Sequence, residues 1–232
     1  MAGFAIRLVG VQHAYGATDD VGEVTALEQI DLSIPSGSFA VLMGPSGSGK
    51  STLLNLIGAV DRPSSGSVFL DDTDIARASE RELTLLRRSD IGFVFQFFNL
   101  IPTLSVEENI GFPLALAGSS RERITSRTRE VLRQIGLEPR EKHYPNQLSG
   151  GEMQRVAIGR AVVHRPRLIL ADEPTGNLDS RTGEQILDLL RAVHEAHEST
   201  IVMATHSERA ASYGDLIIDV IDGTAAPRIA GT

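Results

Sequence analysis

The sequence predicts an α/β domain, a parallel sheet covered by helices on both faces and interrupted by a helical insertion. Three observations carry that reading. Phe39–Met43, Leu168–Ala171 and Ile201–Ala204 are short, wholly apolar runs, as strands buried on both faces require. Helical patterns alternate with them: Ile186, Leu189, Leu190 and Val193 share one face of a helix between the last two runs. From about Phe97 to Gly159 the patterns are mostly helical, which places an insertion inside the sheet domain.

The elements follow in chain order. Met1 to Val11 alternates like a strand and lacks the basic-then-apolar layout of a signal peptide. Strands are expected over Ile6–Val11 and Thr25–Ile34, and a Pro35-Ser36-Gly37 turn separates the second from Phe39–Met43. A helix is expected from Ser51 through Leu53, Leu54, Leu56 and Ile57 to about Gly58. A short strand, Ser67–Leu70, comes after the Pro63-Ser64-Ser65-Gly66 turn. In the insertion, the stripe Ile124, Val131, Leu132 and Ile135 closes at Gly136, with Pro139 beyond it.

Composition narrows the function classes. The chain has 232 residues, 41% hydrophobic and 22% charged, which suits one large domain or a core with a subdomain. A net charge of -8 argues against a nucleic-acid binder, which needs clustered Lys and Arg. Cysteine is absent, so disulfides, thiolate metal ligands and a cysteine nucleophile are excluded, which suits a reducing cytosol. No apolar run approaches the roughly 20 residues that cross a bilayer. Work at a membrane would therefore need a partner.

Gly44-Pro45-Ser46-Gly47-Ser48-Gly49-Lys50-Ser51 is a full G-x-x-x-x-G-K-[ST] loop between an apolar strand and a helix, followed by Thr52. Its glycines let the backbone curl N–H groups toward phosphate oxygens, and the helix presents its positive dipole end to the same anion. Lys50 is expected to reach the β- and γ-phosphates of ATP, and the Ser51 hydroxyl to ligate Mg2+. Alone, the loop says only nucleoside triphosphate, since kinases and GTPases share it. A second apolar run ends in Asp172 and Glu173, at the strand end where ligands bind in parallel sheets. Asp172 is suited to hold Mg2+ opposite Ser51, and Glu173 to act as general base on the attacking water.

Leu148-Ser149-Gly150-Gly151-Glu152-Met153-Gln154-Arg155 reads locally as a capped helix start, with Ser149 and Glu152 as a capping box. The helix is expected to end before Pro166. As a string it resembles the L-S-G-G-[EQ]-x-Q-R signature of the ATP-binding-cassette family. The resemblance implies a P-loop NTPase (RecA-like) core with an N-terminal antiparallel β subdomain, over 1–96 and 160–232, and a helical subdomain carrying the signature, over 97–159. It further implies that Ser149, Gly150, Gly151 and Glu152 face ATP held by a second copy, in an ATP-dependent head-to-tail homodimer. A second anion site at a helix N-terminus agrees with that picture, because one chain needs only one.

Other positions match the family in order. Tyr15 resembles the aromatic that stacks on adenine, and Gln96 the glutamine that senses Mg2+ and joins core to insertion. Asp179, in Gly176-Asn177-Leu178-Asp179, resembles the loop that crosses the dimer interface, and His206 the switch histidine at the γ-phosphate. The resemblance implies an ATPase that powers a separate membrane permease from the cytoplasmic face, without inserting in the membrane itself. Phe95–Leu104 and Glu173–Asp179 look like the lipoprotein-release and macrolide-efflux group, whose permeases have four transmembrane helices. Whichever of Phe97, Phe98 and Leu104 are solvent-accessible are the candidate docking side chains for that partner; the other reading is that they pack the insertion's own core. The rival is a soluble cassette ATPase acting on nucleic acid or ribosomes, but DNA-repair members carry coiled coils or zinc sites, and the span from Lys50 to Ser149 holds neither. A small-molecule kinase would leave the signature unexplained, and intact Glu173 and His206 oppose a non-hydrolysing scaffold.

Overall fold

The computed structural model describes residues 2–16 and 24–228. The chain opens with β1 (Ile6–Tyr15), β2 (Val24–Ile34) and β3 (Phe39–Met43), and β3 leads into α1 (Lys50–Ile57). β4 (Ser65–Leu70), β5 (Thr73–Asp74), α2 (Glu80–Ser89) and β6 (Ile91–Val94) follow. Then come α3 (Val106–Leu116), α4 (Arg121–Ile135) and α5 (Gly150–Val162), with two short 3-10 turns before α5. The last part is β7 (Leu168–Asp172), α6 (Ser180–His197), β8 (Thr200–Thr205), α7 (Glu208–Ala211), β9 (Leu216–Ile221) and β10 (Thr224–Pro227).

Two sheets form. The larger has the order β10-β9-β3-β8-β7-β6, all parallel except for the β9–β10 hairpin at one edge. The smaller, β2-β1-β4-β5, is antiparallel. Side chains alternate faces along a strand, so β3 divides between two cores. Phe39, Val41 and Met43 pack with residues of α3 to α6, while Ala40 and Leu42 pack with α1 and the antiparallel sheet. All five β3 residues are buried. This is why the strand reads as an unbroken apolar run, each large side chain contributing about 1.5–3 kcal/mol by leaving water.

The helical stretch is tied to the sheet at one end of α5. A Cβ at Gly92 of β6 would collide with the Ala161 carbonyl, so only glycine lets the helix lie so close. Arg127 donates from Nε to the Val163 carbonyl at 2.9 Å and from Nη2 to the Val162 carbonyl at 3.4 Å. Nearer the core, the fully buried Asn109 accepts from the Ile101 amide at 2.8 Å and donates to the Ile101, Leu104 and Ser105 carbonyls. One amide side chain thus shapes the loop before α3.

Several elements differ from the sequence reading. β1 continues past Val11 to Tyr15, because Gly10 takes a left-handed conformation (φ 55°) and the pairing with β2 shifts between Leu8 and Val11. The bulge breaks the alternation that ended the expected strand. α2 was not anticipated: it buries only Leu83, too little for an apolar period, although Ser79 and Glu82 form a capping box. α5 begins at Gly150 and ends at Val162, inside the stretch assigned to the core from residue 160.

Candidate active site

The phosphate-loop residues are placed by β3 and α1. Gly49 caps α1 in a conformation (φ 105°) that a side chain would strain, and no side chain caps the helix. The amides of the first turn are thus left for an anion. Lys50 is 6% exposed and bends back over the loop, its Nζ donating to the Gly44 carbonyl at 2.9 Å and the Pro45 carbonyl at 2.7 Å. Tyr15 ends β1 with its hydroxyl donating to Thr52 Oγ1 at 3.2 Å, which ties the aromatic to the same helix. The buried His13 ring sits edge-on to it, 4.6 Å between centroids.

One cleft gathers Ser46, Gly47, Gly49, Lys50, Ser51 and Thr52 with Gln96, Asp172 and Glu173. Three separate strand ends, β3, β6 and β7, deliver these groups to one place. Asp172 Oδ1 is buried with no hydrogen-bond partner. Burial and the neighbouring Glu173 charge push its carboxyl above the ordinary range, against the opposing pull of the nearby Ser51 hydroxyl and the Lys50 charge. An orphaned carboxylate oxygen facing a hydroxyl fits a hard cation with oxygen ligands. Among the described residues there is no cluster of three or more His, Cys, Asp or Glu suited to a metal. In phosphate sites Mg2+ takes one or two carboxylates and draws its other ligands from water and phosphate, and Asp172 beside Ser51 offers that donor set.

Glu173 follows at φ 46°, a left-handed conformation uncommon for a side-chain-bearing residue. Its amide donates to the Ala204 carbonyl at 3.0 Å. It also lines a second cleft, with Asp179, His206, Glu184 and Arg209. Gln96 and the next loop are joined directly: Asn177 Nδ2 donates to the Gln96 carbonyl at 3.0 Å, and Gln96 Nε2 approaches Asn177 Oδ1 at 3.5 Å. Asp179 caps α6, accepting from the Thr182 amide at 3.0 Å and its hydroxyl at 2.6 Å. The Thr182 hydrogen bonds hold its carboxyl below the usual range.

Ser149, Gly150, Gly151 and Glu152 line neither cleft. They form the N-terminus of α5, with the expected capping box: the Glu152 amide donates to Ser149 Oγ at 3.3 Å, and Glu152 Oε2 accepts from the Ser149 amide at 2.8 Å. Ser149 hydrogen bonds hold the Glu152 carboxyl low, with help from Arg140 at 3.1 Å. Sequence reasoning missed Asn177, whose partner is 81 residues away, and His13, which no motif marks.

Residues 27–176 match the family described as ABC transporter. The ABC transporter ATP-binding protein YknY of Bacillus subtilis is 44% identical over 226 residues, covering 97% of each chain. The lipoprotein-releasing system ATP-binding protein LolD of Geobacter metallireducens is 42% identical over 218 residues, 94% of this chain and 96% of its own. The fold matches the ATP-binding cassette MJ0796 of Methanocaldococcus jannaschii, solved as a dimer in a post-hydrolysis state with ADP and Pi. Its TM-score is 0.88 at 42% identity, over 98% of this chain and 99% of that one. The chain belongs to the ABC transporter family, as its ATP-hydrolysing cassette.

Proposed function

We propose that this cassette powers a four-helix membrane permease of the lipoprotein-release or exporter type from the cytoplasmic face of the membrane. The observation that carries the ATPase half is the single cleft holding Lys50, Ser51, Gln96, Asp172 and Glu173, which the signature residues do not line. Lys50 exchanges the Gly44 and Pro45 carbonyls for phosphate oxygens. Ser51, Asp172 and Gln96 would hold Mg2+, which when bound would supply positive charge beside the phosphate oxygens. Glu173 takes a proton from the attacking water, oriented by His206. Tyr15 stacks on the base, and Ser46 to Thr52 cradle the phosphates. Ser149, Gly150, Gly151 and Glu152 close over ATP in the second copy, with Asp179 along the interface.

The exporter branch rests on the LolD relatives and on the sequence of the two loops around Gln96 and Asp179. No described helix is long and apolar enough to cross a membrane, so force must pass through a docking surface. Phe97, 71% exposed beside Gln96, is the apolar side chain best placed for it. Reconstituting the subunit with a four-helix permease in proteoliposomes tests the branch. Turnover is expected to rise several-fold with an acylated lipoprotein as cargo; identical turnover with and without acylated cargo overturns that branch and leaves hydrolysis untouched.

A further inference from the structure

Phe98 and Asn99 are consecutive non-glycine residues in the left-handed region, at φ 61° and 48°. Nothing within this tight turn satisfies their carbonyls; Arg160 does. Its Nη1 donates to the Asn99 carbonyl at 2.5 Å and its Nη2 to the Phe98 carbonyl at 2.8 Å. Among the described residues no carboxylate pairs with this guanidinium, so its charge is spent on the two backbone oxygens. Arg160 lies ten residues along α5 from Gly150, about 15 Å at helical rise, and helical side chains lean toward the N-terminus. Phe98 spans the remaining gap: a Cβ at Gly150 would lie 3.9 Å from its ring Cζ. The turn therefore lies along α5, held by Arg160 near one end and with the Phe98 ring beside Gly150 at the other. Two residues upstream, Gln96 faces the phosphate cleft.

We infer that Arg160 is a positioning residue for hydrolysis, locking the turn after Gln96 onto the signature helix so that a shift of Gln96 reaches Gly150. A plain packing role would ask only for bulk at this position. The bidentate grip on two strained residues sets the direction of the turn as well, and a guanidinium suits that better than an ammonium. The inference rests on the reading of Gln96 as a metal-sensing residue.

The test uses the full chain. Arg160→Met keeps the apolar stem and is expected to bind ATP with KM within about threefold of the parent while kcat falls about tenfold or more, the pattern of an interaction needed beyond the ground state. Arg160→Lys, which keeps charge and a donor, is expected to recover part of kcat, and it carries the test if the methionine variant folds poorly. Combined with Gln96→Ala, the two losses are expected not to multiply, because residues on one path share a single effect. The chain has no tryptophan, so Phe97→Trp gives a single reporter beside the turn. Its emission is expected to change with Mg-ATP in the parent and not in Arg160→Met. A kcat loss matched by KM, fully multiplicative losses, or a reporter that still responds in Arg160→Met overturns the inference. If Gln96→Ala alone leaves kcat unchanged, the reading of Gln96 fails, and the reporter then decides on Arg160.

Discussion

The Nδ1 of His206 lies 2.9 Å from Oε1 of Glu173, joining the ends of two adjacent parallel strands across the cleft. Glu173 is largely buried and His206 exposed, with side chains 16% and 62% accessible. The imidazole thus reaches the base from the open side. Glu173→Gln keeps the shape of the side chain and removes its basicity. Steady-state turnover is expected to fall ~10²-fold or more, with ATP binding retained and an ATP-bound dimer visible by size exclusion. Turnover within about tenfold of the parent would remove Glu173 from the role of general base.

The separation of the signature from the phosphate cleft within one chain makes complementation possible. Lys50→Ala is expected to weaken nucleotide binding by removing a charge-assisted contact, and Ser149→Arg to block the partner's site. Each homodimer should be inactive. Mixed together, they form heterodimers with one complete site and measurable turnover. A mixture no more active than its two parts would contradict the head-to-tail arrangement.

The buried Asp172 predicts a conflict between stability and metal binding. Its carboxyl titrates above the ordinary range because burial penalises the charged form. The sign follows from that direction: the group favours the fold while neutral, and stability falls as pH rises from the ordinary carboxylate range through the raised one. Mg2+ needs the carboxylate, so the Mg2+ concentration for half-maximal turnover should drop over the same window. Asp172→Asn abolishes that pH dependence and turnover together. It should also raise the melting temperature of the nucleotide-free protein, by about 2–4 °C for each kcal/mol recovered. A lower melting temperature at neutral pH would show that the carboxylate is stabilising where it sits.

Docking on the permease divides the apolar stretch after Gln96. Val106, Ile110 and Leu114 are buried and serve the core, whereas Phe97 is exposed. Phe97→Glu is expected to leave folding and basal ATPase intact and to abolish co-purification with the permease. Normal co-purification would place the docking surface elsewhere.

The sequence and the structure agree where a strand is buried on both faces and a motif ends it. Phe39–Met43 and Leu168–Ala171 read as strands because neither face meets water, and Lys50, Asp172 and Glu173 follow their ends within a few residues. Legibility fails where the signal is half polar or distant in the chain. α2 has a single buried leucine, and β9 is only partly buried near the sheet edge. Asn177 finds Gln96, and Arg160 finds Phe98, across 81 and 62 residues, pairings that no local pattern encodes.

Gly92 brings the last turn of α5 directly against β6, and Arg127 ties the same turn to α4. The helix has 13 residues, about 20 Å from pivot to tip. A tilt of about 10° at the held end would sweep Ser149 through roughly 3 Å, the span of one hydrogen bond. If α5 pivots at that end when ATP binds, a small motion at the sheet decides whether its tip reaches a phosphate of the second copy. Under such a pivot the stroke scales with helix length, so inserting or deleting one turn is expected to lower ATPase turnover even with every side chain of the signature retained.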